Sequence, residues 1–115
     1  MRLVFKNRVI NEELANKLIN KCEDEQLKES IHLAYYKGLK LNEILDLLDN
    51  KVKRRTIQYR LRSFSNKVLG FNVTFSMLRN SCTIRLFNKG YSPEFISNYM
   101  NYSRLDIRRY KGAEK

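Results

Sequence analysis

The sequence predicts an all-α fold, a compact bundle of about seven helices. Three observations carry that expectation. Apolar residues recur at three- and four-residue spacing from residue 14 onward. Glycines at 38, 70 and 90 stand just past the ends of those stripes, where a left-handed residue closes a helix. Asn, Ser and Thr stand just before several of them, where a side-chain oxygen can cap the first turn. At 115 residues and 43% hydrophobic content, the chain suits one domain with a real core.

The elements follow in order. Residues 2–10 lack helical spacing and read as an extended arm or edge strand. Asn11 caps a first helix that turns Leu14, Leu18 and Ile19 inward, with Glu12 and Glu13 suited to the positive end of its dipole. A second helix starts near Gln26, buries Leu27, Ile31, Ala34 and Tyr35, and closes at Gly38. Asn42 caps a short third helix carrying Ile44, Leu45 and Leu48. The fourth starts near Arg55, with Ile57, Leu61, Phe64 and Val68 on one stripe, and ends at Gly70. Thr74 opens the fifth, which carries Phe75, Leu78, Cys82 and Leu86 and stops at Gly90. Ser92-Pro93-Glu94 combines an N-cap, a first-turn proline and a first-turn acid, and opens a helix with Phe95, Ile96 and Tyr99. Ser103 caps the seventh, through Leu105, Ile107 and Tyr110.

Charge is uneven along this frame. From Asn50 to Pro93 there is no acidic residue, against ten basic ones: Lys51, Lys53, Arg54, Arg55, Arg60, Arg62, Lys67, Arg79, Arg85 and Lys89. That block accounts for nearly all of the net charge of +11. A cationic field concentrated in one part of a small domain implies a polyanionic partner, and nucleic acid comes first because neutralised phosphates release counterions. Other classes find no support. Cys22, Cys82 and the single histidine, His32, lack metal-ligand spacing, and Cys82 sits on an apolar stripe as a small hydrophobe. No glycine-rich nucleotide loop, small-molecule pocket or cofactor motif is legible. No apolar run reaches membrane-spanning length and no signal peptide is evident, so a reducing cytoplasm, beside the nucleoid, is expected.

A weak internal repeat gives the charge a scaffold. Lys37-Gly38 and Lys89-Gly90 lie 52 residues apart, as do Ile44 and Ile96. In each copy a long helix ends at glycine, a short helix follows, and a basic helix comes next. That order is how a helix-turn-helix unit reads in sequence, giving a first unit over residues 26–65 and a second over 74–111. In the first unit Ile57, Leu61 and Phe64 face the core, leaving Arg54, Arg55, Gln58, Tyr59 and Arg62 to enter a groove. Lys51, Lys53 and Arg60 would anchor the backbone, and Arg79, Arg104, Arg108 and Arg109 would extend the surface.

Two segments, 31–48 (IHLAYYKGLKLNEILDLL) and 63–103 (SFSNKVLGFNVTFSMLRNSCTIRLFNKGYSPEFISNYMNYS), resemble the two conserved boxes of the tyrosine recombinases, the phage-integrase family. The first box in that family has Thr-Gly-Leu-Arg-x-x-Glu-Leu, matched here by Gly38, Leu39 and Glu43. The second has His-x-Leu-Arg-His, matched by Leu78 and Arg79. The resemblance implies a minimal recombinase core in which Arg79 and Lys40, the latter at the first arginine's position, grip phosphate, and Tyr110 lies near the nucleophile. The departures are chemical. Lys40 lacks an arginine's planar fork. Ser76 and Asn80 stand where the family has imidazoles, and Asn101 or Tyr102 stands for a third. Only 38 residues lie between Lys40 and Arg79, little room for the family's β-hairpin and its lysine.

The functional expectation is therefore a double-stranded-DNA-binding protein that has lost the reaction: a transcriptional regulator, or a recombination or partition accessory, of the kind mobile elements carry. Dimerisation or an internally repeated two-headed contact is expected, since helix-turn-helix proteins usually read two half-sites. The alternative is a minimal recombinase cleaving through Tyr110 with Arg79. A structured-RNA binder is a third class, disfavoured because no aromatic strand platform is present.

Overall fold

The computed structural model describes residues 9–48 and 51–100. These form six helices: α1 (Glu12–Lys21), α2 (Glu25–Tyr36), α3 (Leu41–Leu47), α4 (Arg54–Leu69), α5 (Phe75–Asn88) and α6 (Pro93–Met100). No strand occurs among the described residues. Of the expected arm over 2–10 only residues 9 and 10 are described, and neither is in a strand; the rest of it and the expected seventh helix from Ser103 lie outside the described residues.

Local chemistry sets most boundaries. The Asn11 carboxamide oxygen accepts from the Leu14 N–H at 2.9 Å, and the Thr74 hydroxyl accepts from the Met77 N–H at 3.2 Å, so both caps stand where the sequence puts them. Ser92 does the same for Phe95 at 3.1 Å. The second helix starts slightly early because Asp24 caps it, accepting from the Leu27 N–H at 3.2 Å. The third also starts early. Its N-cap is Lys40 rather than Asn42, because the Glu43 carboxylate reaches back to accept the Lys40 backbone N–H at 2.8 Å. Asn42 is left exposed within the first turn.

Gly38 answers two demands at once. It follows α2 at φ +68°, and the Leu39 N–H donates to the Leu33 carbonyl at 3.3 Å, closing the helix in a left-handed turn. A Cβ at this position would overlap the Met100 thioether, standing 2.8 Å from its Cε and 3.4 Å from the Cys82 Sγ.

Helix α5 is the central element. It lies against α2 along the most extensive helix–helix contact and against α6 on another side. Its buried residues include Phe75, Met77, Leu78, Cys82 and Leu86, but also Asn80, Ser81 and Thr83. A single apolar stripe was the expectation, yet the helix is enclosed on more than one side. The small polar residues fit because they are bonded. Ser81 accepts from the Ile10 N–H at 2.8 Å and donates to the Met77 carbonyl at 2.7 Å. Ser65 of α4 likewise accepts from the Val73 N–H at 2.8 Å, joining α4 to the lead-in of α5.

The main core gathers Leu18, Ile31, Tyr35, Ile44, Ile57, Leu61, Val73 and Leu78. Full burial of each aliphatic side chain contributes about 1.5–3 kcal/mol. A second cluster, Cys82, Leu86, Ile96 and Met100, fixes α6 on α5. Both cysteines are buried free thiols, and burial pushes each thiol up from its ordinary value.

Candidate nucleic-acid interface

Helix α4 divides cleanly by face. Ile57 and Leu61 are fully buried, while Arg54, Arg55, Gln58, Tyr59 and Arg62 are all exposed, Tyr59 at 64%. Lys51 and Lys53, which lead into the helix, are exposed as well. The N-terminus of α4 has no acidic residue in its first turn and no side-chain cap. Two arginines instead sit at the positive end of the helix dipole, an arrangement that costs stability unless an anion joins it.

The outward face is itself two rows. Arg54, Gln58 and Arg62, spaced one turn apart, border a cleft of about 620 Å³. Across it stand Lys40 at the start of α3 and Thr74, Ser76 and Arg79 in the first turns of α5. Leu39, Leu41 and Phe75 supply apolar wall. Four cations and no carboxylate line this space. Arg55 and Tyr59 are exposed but do not border it. No pocket is legible in the sequence, because the walls come from segments up to 40 positions apart, Leu39 to Arg79.

Three basic residues of the acid-free block are directed at protein groups. Arg60 donates to the Gln26 carboxamide at 3.2 Å and pairs with Asp24 at 3.5 Å, fastening α4 to the start of α2. Arg79 donates from Nε to the Gly38 carbonyl at 2.9 Å and from a terminal nitrogen to the Met100 carbonyl. Its guanidinium thus ties the α2–α3 turn to the end of α6. Arg85 donates to the Tyr36 carbonyl at 3.4 Å, with its guanidinium carbon 5.5 Å and 5.1 Å from the ring centres of Tyr35 and Tyr36. Burial pushes the Tyr35 hydroxyl up to about 12, partly opposed by Arg85.

The recombinase-like positions divide. Lys40, Ser76 and Arg79 border one cleft. Asn80 is buried on α5 and does not line it. Tyr110, Asn101, Tyr102, Arg104, Arg108 and Arg109 lie outside the described residues. Lys67 and Lys89 are exposed elsewhere. No group of three or more His, Cys, Asp or Glu positioned to hold a metal occurs among the described residues, and no described helix is long and apolar enough to cross a membrane. No family model, curated protein or solved structure matches this chain.

Proposed function

We propose that the protein binds double-stranded DNA through the exposed face of α4, acting as a regulator or a recombination or partition accessory rather than a strand-cleaving enzyme. The observation that carries this reading is that Arg54, Arg55, Gln58, Tyr59 and Arg62 are all exposed on α4, in a stretch of chain without a single carboxylate. Arg54, Arg55 and Arg62 offer guanidinium groups to phosphates or guanine edges, and Gln58 offers an amide suited to adenine. Lys51 and Lys53 add backbone contacts beside the helix N-terminus. Homodimerisation would supply the second half-site that one short recognition helix cannot cover.

Fluorescence anisotropy with a labelled duplex tests the reading. The affinity falls steeply as salt rises, with a log–log slope of roughly −3 to −5, and replacing Arg54, Arg55 and Arg62 by Ala removes about one unit per arginine. Salt-independent binding, or a triple variant that binds like the parent, overturns it.

Strand cleavage through Tyr110 is the second reading, favoured by the shared cleft of Lys40 and Arg79. Against it, Arg79 already serves two backbone carbonyls, and Ser76 and Asn80 offer no general acid or base. A nicked suicide duplex distinguishes the two: cleavage traps a covalent adduct that Tyr110→Phe abolishes, whereas a binding protein gives none.

A further inference from the structure

We propose that the cleft between α4 and the first turn of α5 is a binding site for a nucleotide, held by its terminal phosphate. Arg55 and Tyr59, exposed and outside the cleft, remain open to a duplex. A concave space of about 620 Å³ falls within the range of small-ligand sites and suits a compact anion with a ring attached. Lys40, Arg54, Arg62 and Arg79 bring four positive charges to it, and no carboxylate is among its lining residues, the Glu43 carboxylate beside Lys40 being bonded to that residue's backbone N–H. Arg79 is held in place by its carbonyl bonds and forms a fixed back wall, while Lys40 and Arg62 are exposed at the rim. The half-buried Leu39 and Leu41 give a base an apolar face, and Gln58 can meet its polar edge. Arg54, Gln58 and Arg62 also belong to the duplex-binding face, so an occupied cleft withdraws them from DNA. Only this competition rests on the DNA reading; the site itself does not.

A free nucleoside phosphate and a 5′-phosphorylated strand end present the same chemistry. Calorimetry on the full chain in dilute salt uses ATP, AMP, adenosine and inorganic tripolyphosphate as probes. Anisotropy then compares 5′-phosphorylated with 5′-hydroxyl duplex, with and without ATP. ATP binds more tightly than AMP and than tripolyphosphate, and adenosine gives no signal. Lys40→Ala/Arg62→Ala weakens ATP binding by about tenfold or more, while Lys67→Ala/Lys89→Ala, which removes equal charge away from the cleft, changes it by less than about twofold. Duplex indifferent to its end phosphate assigns the site to free nucleotide; duplex that prefers the phosphate assigns it to the strand end. Equal weakening in the two double variants, or tripolyphosphate binding as tightly as ATP, overturns the site. ATP that binds without weakening the duplex overturns the competition alone, and absence of any duplex binding leaves the calorimetric result intact while sinking the DNA reading.

Discussion

Helices α4 and α5 both carry arginines within the same acid-free stretch, yet, Arg60 of α4 apart, they use them in opposite ways. On α4, Arg54, Arg55 and Arg62 point to solvent, and the first turn holds its positive charges at the positive end of the dipole. On α5, Arg79 and Arg85 are half-buried and donate to the carbonyls of Gly38, Met100 and Tyr36. Carbonyls near helix ends and glycine turns have no intrahelical donor, and a guanidinium with five donors can satisfy several at once. Cations counted along a chain therefore overstate the number of guanidinium donors free to bond a partner, although their charge remains. Arg54, Arg55 and Arg62 of α4 are exposed, whereas Arg60 of α4 and the two α5 arginines hold neighbouring helices in place.

The largest effects should come from the α5 side. Gly38→Ala places a Cβ against Met100 at a positive φ and costs about 3 kcal/mol, the sum of left-handed strain and overpacking. Arg79→Ala leaves the Gly38 and Met100 carbonyls without their donor and costs about 2–3 kcal/mol. Arg55→Ala, by contrast, stays within about 0.5 kcal/mol of the parent. Urea denaturation followed by circular dichroism checks all three. An Arg79→Ala protein as stable as Arg55→Ala would erase the contrast.

The same division explains what the sequence made legible. Caps at Asn11, Thr74 and Ser92, the left-handed closure at Gly38, and the two faces of α4 depend on neighbours within a few positions, so spacing and residue type suffice. The commitments of Arg60, Arg79 and Arg85 do not. Their partners lie 34, 41 and 49 positions away, and nothing local distinguishes a bonded arginine from an exposed one. Helix α5 misled for a related reason: its buried Ser81 and Thr83 look polar and outward until the elements that enclose them are in place. The Lys40 cap was hidden because a lysine is no N-cap by residue type; the reach of Glu43 made it one.

A pH effect sharpens the α5 side further. Tyr35 is buried beside Arg85, and its hydroxyl ionises near 12 in the fold against about 10 in the unfolded chain. The unfolded state loses this proton first, so stability is intact below pH 10 and falls between about pH 10 and 12, by on the order of 2 kcal/mol. Tyr35→Phe removes that component of the loss. A variant whose alkaline unfolding curve superimposes on the parent's would contradict the placement.

A smaller effect lies on the α4 side and has the opposite sign. Arg55→Glu puts an acid in the first turn of α4 and stabilises the fold by about 0.3–1 kcal/mol, while it weakens duplex binding. Stability and binding that fall together would mean that Arg55 holds structure rather than partner.

Amide chemical-shift mapping of the ¹⁵N-labelled protein with a short duplex tests the central claim most directly. Perturbations that rise to saturation along Lys51 to Arg62, with the exposed acidic positions Glu13 and Glu29 of α1 and α2 unmoved, are the predicted result. Shifts spread evenly over all helices, or none on α4 in dilute salt, would contradict it.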